Sequence, residues 1–368
     1  MHIVMLPGDG IGPEIAAATR QVLTVLDAKL SLGLRLEEHA MGLATLDSHA
    51  STLPDDVLAQ ARAADGVILA PVSTYDYPPP EQGGINPSAH IRIALDLYAN
   101  IRPSRTRTGV ANVASHMDLV VVRENTEGFY ADRNMLSGSG EFQPAEDMAL
   151  AIRKITAAAS QRIARAAFEL AGRRDKHVTM VHKANVLKVT DGLFIREVVK
   201  VADEFPDVRL DEMLVDAMAA DLIRNPETYD VIVTSNMYGD ILSDEAAALC
   251  GGLGLASALN AGDEHAIAQA VHGSAPDIAG RGIANPAALM LSTAMLLDWL
   301  GTRHDRPIFA VAADLLEGSV NATLADAANH TPDLGGHGTT ELFAAAVADH
   351  IQSNSHSDSN SDPRGGNT

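Results

Sequence analysis

At 368 residues, with 46% hydrophobic and 20% charged side chains, the chain has the length of about two domains and a composition that excludes an intrinsically disordered class. Its 27 basic residues stand against 48 acidic ones, a net charge of −21, which argues against a nucleic-acid partner because that would need clustered Lys and Arg. Cys250 is the only cysteine, which excludes an intrachain disulfide and a cysteine-rich zinc site.

In chain order, "HIVMLP" (2–7) reads as a strand, with none of the basic start, apolar segment and cleavage site of a signal peptide. "LPGDGIGPE" (6–14) follows it into a glycine turn and a helix start. The spacing is not that of a Rossmann fingerprint: counted from Gly8 the third glycine falls on Pro13, and counted from Gly10 on Ile15. Residues 51–65 predict a helix with Ser51 or Thr52 as cap, Pro54 at its opening and Gly66 after its end. "GVILAP" (66–71) is the next strand, and the Pro- and Gly-rich stretch 72–90 a long loop. "LVVVRE" (119–124), "VTMVHK" (178–183) and "DVIVTS" (230–235) are further strands, apolar throughout and so expected to be covered on both faces. Alanine-rich helices are expected over 145–172 and 284–300. The stretch "PAALMLSTAMLLDWLG" (286–301) is broken by Asp298 and too short to cross a bilayer, so the expected setting is cytoplasmic, with no membrane partner. The polar tail 353–368 is expected to be disordered. Strands alternating with helices predict an α/β layered architecture.

The chemistry gathers in a few stretches. "TSNMYGDILSDEAA" (234–247) places Asp240 and Asp244 one helical turn apart, on one face. Two such carboxylates suit either a hard cation, Mg²⁺ or Mn²⁺, or the positive end of a helix dipole. Asp216, after another apolar run, is a candidate third ligand. Arg92, Arg102 and Arg123 suit bidentate recognition of a small carboxylate substrate, against the alternative of unrelated surface ion pairs. Lys183 ends a buried strand, where desolvation and neighbouring cations lower a lysine pKa towards a base's range; a lysine snorkelling off the sheet edge is the alternative. The loop "HGSAPDIAGRGIANP" (272–286) offers backbone amides to a phosphate-bearing ligand, and Asp277 offers a carboxylate to a ribose 2′-hydroxyl.

Together and in order, "LPGDGIGPE", "LDLYANIRP", "VVRENTEGFY", "HKANVLK", "NMYGDILSDEAA", "GGLGLA", "HGSAPDIAGRGIANP" and "TPDLGGHGTT" resemble the metal-dependent β-decarboxylating dehydrogenases. That family takes isocitrate, isopropylmalate, homoisocitrate, tartrate or D-malate. The resemblance implies an isopropylmalate dehydrogenase-like fold, not a Rossmann fold, with two α/β domains sharing a mixed central sheet and an active site in the cleft between them. Residues 1–98 with 250–352 would form the large domain, and 99–249 the small one. It implies NAD with Mg²⁺ or Mn²⁺. Arg92, Arg102 and Arg123 would grip the malate portion of the substrate, Tyr130 would return a proton to the decarboxylated enol, and Lys183 would assist removal of the hydroxyl proton. Asp216, Asp240 and Asp244 would hold the metal. Lys183 and Asp216 would come from the neighbouring subunit, which implies a homodimer with shared sites. His272, Gly273, Ser274, Ala275, Asp277 and Asn285, with Ile11, Thr74 and Asn185, would bind the cofactor.

The residues before Arg92 bear on the substrate. Ser88, Ala89 and His90 stand where isopropylmalate enzymes carry leucines, and Ala89 stands where homoisocitrate enzymes carry an arginine. Asn86 and Ser88 offer the chemistry by which isocitrate enzymes hold a γ-carboxylate. The expected reaction is oxidative decarboxylation of an isocitrate-like 3-substituted malate, with isopropylmalate, homoisocitrate, D-malate and tartrate as alternatives. A non-catalytic regulatory subunit is disfavoured, because every matching functional residue is present.

Overall fold

The computed structural model describes residues 1–130, 135 and 138–354. The first part of the chain forms β1 (His2–Leu6), α1 (Gly12–Leu30), β2 (Arg35–Glu38), α2 (Leu43–His49), α3 (Asp55–Ala63), β3 (Gly66–Leu69) and α4 (Pro87–Ala94). The middle forms β4 (Ala99–Arg105), β5 (Asp118–Glu124), β6 (Glu141–Ala145), β7 (Met148–Ala151), α5 (Ala157–Gly172), β8 (His177–His182), α6 (Thr190–Ala202), β9 (Arg209–Leu214), α7 (Val215–Arg224), β10 (Val231–Thr234) and α8 (Asn236–Leu249). Then come β11 (Leu259–Ala261), β12 (Ala266–Gln269), α9 (Ala287–Arg303), α10 (Ile308–Ala325) and α11 (Thr340–Ser353).

One mixed sheet of ten strands, in the order β2-β1-β3-β12-β11-β4-β5-β10-β8-β9, runs through the molecule. It is parallel from β2 to β12 and again from β5 to β9, and the pairings around β11 and β4 are antiparallel. Apolar side chains pack on both faces at each end. Beside β1, β3 and β12, one core lies under α1, α9, α10 and α11 and another under α3 and α4. Beside β5, β8 and β10, one lies under α5 and α6 and another under α7 and α8. The five apolar runs of the sequence are strands, and β3 and β10 are buried at every position, as expected of strands covered on both sides.

Three expectations are corrected. The helix expected from 145 begins at Ala157, where Thr156 caps it by accepting from the Ala159 amide. Residues 141–151 form instead an exposed antiparallel hairpin, β6–β7. Neither Ser51 nor Thr52 caps α3: Ser51 bonds to Leu53, and the Thr52 hydroxyl takes the Ile85 amide at 2.8 Å while donating to the Ile85 carbonyl at 2.6 Å. The loop expected over 72–90 ends early, because Asn86 caps and Pro87 opens α4. Of the tail, Ser353 closes α11 and Asn354 follows it; 355–368 lie outside the described residues.

Candidate active site

Three adjacent strands carry one polar layer. Alternation along β4 turns Asn100 and Arg102 to the same face. Register sets Asn100 between Asn260 of β11 and Arg123 of β5. Gly239 lets α8 pass close to β5, since a Cβ there would lie 2.6 Å from Arg123. Over that layer α8 brings Asp240 and Asp244.

Arg123 bonds Asp240 Oδ1 through Nη1, and through Nη2 donates to the Tyr130 hydroxyl at 2.8 Å. Tyr130 donates to Asp240 Oδ2 at 2.7 Å. Arg123 is held from behind by Asn236, whose carbonyl accepts from Nε at 2.9 Å. Arg102 Nη1 stands 3.1 Å from Asp240 and 3.4 Å from Asp244. The repulsion expected between the two carboxylates is thus already relieved by a guanidinium of the same chain. Asp240 is also beyond the first turn of α8, which holds no acidic residue, so the helix-dipole reading does not apply to it.

The two aspartates differ electrically. Burial acts to raise the Asp240 pKa, but Arg123, Arg102 and the Tyr130 hydroxyl outweigh it and hold the carboxyl below its usual range. Burial, with the charge of Asp240 added, raises Asp244, and Arg102 only partly offsets this. Burial raises Tyr130 against the pull of Arg123, so the phenol is protonated at neutral pH. Arg102 is itself lowered to about 10 by burial and by Arg123.

Lys183 lies at the end of β8, its backbone N–H donating to Asp191 at 2.6 Å. Asp191 is anchored in turn by the buried Arg153, which also bonds Ser235 at 3.0 Å. The Lys183 ammonium donates to Asp216 Oδ1 at 2.6 Å. Among the described residues no bond joins this exposed pair to the Arg102–Asp240 group. Within one chain Asp216 therefore does not meet Asp240 and Asp244, and no three metal-ligating side chains gather among the described residues.

A cavity of about 210 Å³ brings substrate and cofactor candidates together: Asn86, Ser88, Arg92 and Arg102 line it with Thr74, His272 and Gly273. The bulky apolar residues of that segment turn away, Ile91 into a core and Ile85 against it. Asn86 spends its Oδ1 on capping α4. Ile11 donates its amide to the Ser274 carbonyl at 2.8 Å, and Ser274 accepts from Ser73 at 2.7 Å. Ala275, at φ 38°, turns the chain so that Asp277 stands exposed. Asn285 is engaged by Asp333 and by the Ala287 amide. Asn185 lies exposed two residues after Lys183, near that pair in sequence, and does not line the cavity.

His272 is set up to meet a nucleotide. Its Nδ1 lies 3.0 Å from the Gly273 carbonyl and so carries the proton. Burial lowers its pKa and keeps the ring neutral. Nε2 is then a buried acceptor without a partner among the described residues, suited to a ribose or adenine donor. For a hard cation the donors offered by Asp240 and Asp244 are all oxygens, the ligand type such a cation takes.

Residues 2–351 match the isocitrate/isopropylmalate dehydrogenase family. The chain belongs to that family. It is 41% identical over 353 residues to the isocitrate/homoisocitrate dehydrogenase of Thermus thermophilus, covering 96% of this chain and 99% of the relative. It is 39% identical to the 3-isopropylmalate dehydrogenase of Methanothermobacter thermautotrophicus, with the same coverage. The crystal structure of isocitrate dehydrogenase from Methylococcus capsulatus superposes with a TM-score of 0.83 at 37% identity, over 95% of this chain and 99% of that one. The expected fold is therefore the fold found, and the protein is a dehydrogenase of this family, whose relatives differ in substrate. No helix among the described residues is long and apolar enough to cross a membrane.

Sequence reasoning missed the residues that hold the site in place. Gln269, Asn125 and Asn260 interlock behind the arginines, and Arg153 and Asp191 set Lys183. Buried Asn100 and Asn260 inside strands were the available signal, since Asn is depleted there unless something binds it.

Proposed function

We propose that the protein oxidatively decarboxylates a 3-substituted malate with a polar substituent, of which isocitrate is the representative, using NAD and Mg²⁺ or Mn²⁺. The observation that carries this reading is the cavity, where Ser88 and two arginines face the same space as His272 and Gly273, while Ile85 and Ile91 are turned into the core. When bound, NAD supplies the hydride acceptor and the divalent cation supplies Lewis-acid polarisation. Asp240 and Asp244 of one chain, with Asp216 of a second, would hold that cation.

The chain's own residues do the rest. Arg92, Arg102 and Arg123 bind and orient the carboxylates of the substrate. Tyr130 holds its proton on the phenol oxygen between Arg123 and Asp240, ready for delivery to carbon. Lys183 donates to Asp216 in the single chain; with Asp216 given over to the cation, the lysine amine, once deprotonated, would assist removal of the hydroxyl proton. We infer that this pair enters the site of a second copy. Supporting this, Phe142, Met148, Leu150 and Ile152 of the β6–β7 region and Ile223 and Ile241 of α7 and α8 are exposed apolar residues that another subunit would cover.

Steady-state assays with isocitrate, homoisocitrate, isopropylmalate, D-malate and tartrate test the reading. Isocitrate is expected to exceed isopropylmalate in kcat/KM, and Ser88→Leu to narrow or invert that ratio. An isopropyl group would leave the Ser88 wall desolvated and unpartnered, at about 1–3 kcal/mol per polar group. Isopropylmalate as the best substrate of the unmodified enzyme would overturn the polar substituent.

A further inference from the structure

A chain of hydrogen bonds runs from Arg102 to Ser88 through three buried or nearly buried amides, and chemistry fixes its direction. Arg102 Nε can only donate, and it does so to Asn100 Oδ1 at 2.5 Å. That leaves Asn100 Nδ2 to donate to Asn260 Oδ1 at 2.6 Å. Asn125 donates to the same oxygen at 3.1 Å, while its own oxygen takes Arg92 Nη1 at 3.3 Å and its Nδ2 also reaches the Leu97 carbonyl at 2.9 Å. Asn260 must then donate onward, from Nδ2 to Gln269 Oε1 at 3.2 Å. Arg92 Nη2 donates to that oxygen at 2.9 Å. Two obligate donors on one oxygen fix which end of the Gln269 amide is oxygen. Its Nε2 is left facing Ser88 Oγ at 3.0 Å, as a donor.

Ser88 Oγ also lies 3.1 Å from Gln269 Oε1. Both lone pairs of that oxygen are already taken by Arg92 and Asn260, whereas Nε2 has a hydrogen to give. The serine is therefore an acceptor towards the protein, and its own hydrogen points to the cavity that it lines.

We propose that Gln269 is a positioning residue for substrate choice: it closes a one-way hydrogen-bond chain from Arg102 and obliges Ser88 to offer a donor, not a lone pair, to the substrate. This rests on the reading above that the cavity holds the C3 substituent. A carboxylate there, which only accepts, is matched. A substituent that must donate is not, and an alkyl group leaves the hydroxyl unpartnered. Gln269 acts through Ser88 and Arg92 and need not touch the reacting atoms.

Gln269→Glu tests this with nearly the same shape. The new side chain still accepts from Arg92 and Asn260, but its second oxygen accepts from Ser88 and reverses that hydroxyl. The kcat/KM ratio of isocitrate to D-malate, which lacks the substituent, is expected to fall roughly 10- to 100-fold, the size of one lost hydrogen bond to a charged group. D-malate, gripped by the same arginines, reports any change at Arg92 itself. Ser88→Ala alone should lower the ratio comparably, and adding Gln269→Glu to Ser88→Ala should lower it no further. Should Gln269→Glu not fold, Gln269→Met frees the hydroxyl to rotate and is expected to lower the ratio by a smaller factor. An unchanged ratio in the folded variant, or a further fall on top of Ser88→Ala, overturns the role of Gln269 while leaving the function standing. A wild-type enzyme that prefers isopropylmalate overturns the functional reading, and this inference with it.

Discussion

Asp240 receives three donors on one carboxylate, from Arg123, Arg102 and Tyr130, and its side chain is 39% exposed. Asp240→Asn keeps the shape and removes the charge. Turnover is expected to fall by orders of magnitude and the Mn²⁺ requirement to rise, as read from rate against metal concentration. Because two buried guanidiniums lose their counter-charge, we expect a loss of about 1–3 kcal/mol in urea unfolding, with the fold retained. Wild-type turnover at limiting Mn²⁺ would remove Asp240 from the metal site. Asp277 stands exposed beside the cavity loop, and a carboxylate facing a 2′-phosphate is repulsive as well as unpaired. NAD should therefore exceed NADP in kcat/KM, and Asp277→Ala should narrow the gap; equal efficiencies before mutation would place that carboxylate elsewhere. Single residues were legible where the type is the chemistry: an arginine, a lysine, a pair of aspartates one turn apart. Gln269 was not legible, because an amide's role depends on which neighbours fix its orientation, and those come from α4 and β11.

Among the elements, β1, β3, β5, β8 and β10 were legible because continuous apolar runs have few other ways to be buried, whereas β2, β4, β9, β11 and β12 of the same sheet were not read. The β6–β7 hairpin was not, since its residues are exposed and no burial pattern marks them. The junction after α5 shows how elements are tied together. Arg174 bonds Asp118, which opens β5, at 2.9 Å, and Asp230, just before β10, at 2.6 Å. Burial acts to raise Asp118, but Arg174 and Arg105 outweigh it, so its folded pKa lies below the ordinary 3.8. A depressed carboxylate contributes its full stability above the unfolded pKa and loses it as pH falls through the folded one. Unfolding free energy should thus drop as solutions are acidified below about pH 4. Asp118→Asn should cost stability at pH 7 and flatten part of that drop in chemical unfolding measured across pH. An equally steep acid limb in the variant would mean that Asp118 is not part of it.

At the scale of the whole molecule, the two groups of functional side chains lie apart in one chain, and a second chain would complete each of them. Co-expressing Lys183→Ala with Asp240→Asn tests this, since each homodimer would be inactive and each mixed dimer would carry one intact site. Random pairing makes half of the dimers mixed, so activity should return to roughly a quarter of wild type. No recovery in co-purified mixed dimers would confine each site to one chain. The order of packing within a chain has a different consequence. Helix α1 is covered by α11, with Ile15, Val22 and Leu26 sharing one core with Phe343, Val347 and Ile351. During synthesis α1 must wait for the roughly 310 residues that separate Leu30 from Thr340, and at roughly 5–20 residues per second this takes about 15–60 s. For that interval an apolar helix face stands open on a ribosome-bound chain. Until then that face is available to a chaperone, and the chain covers it with α11 only when its last described helix emerges.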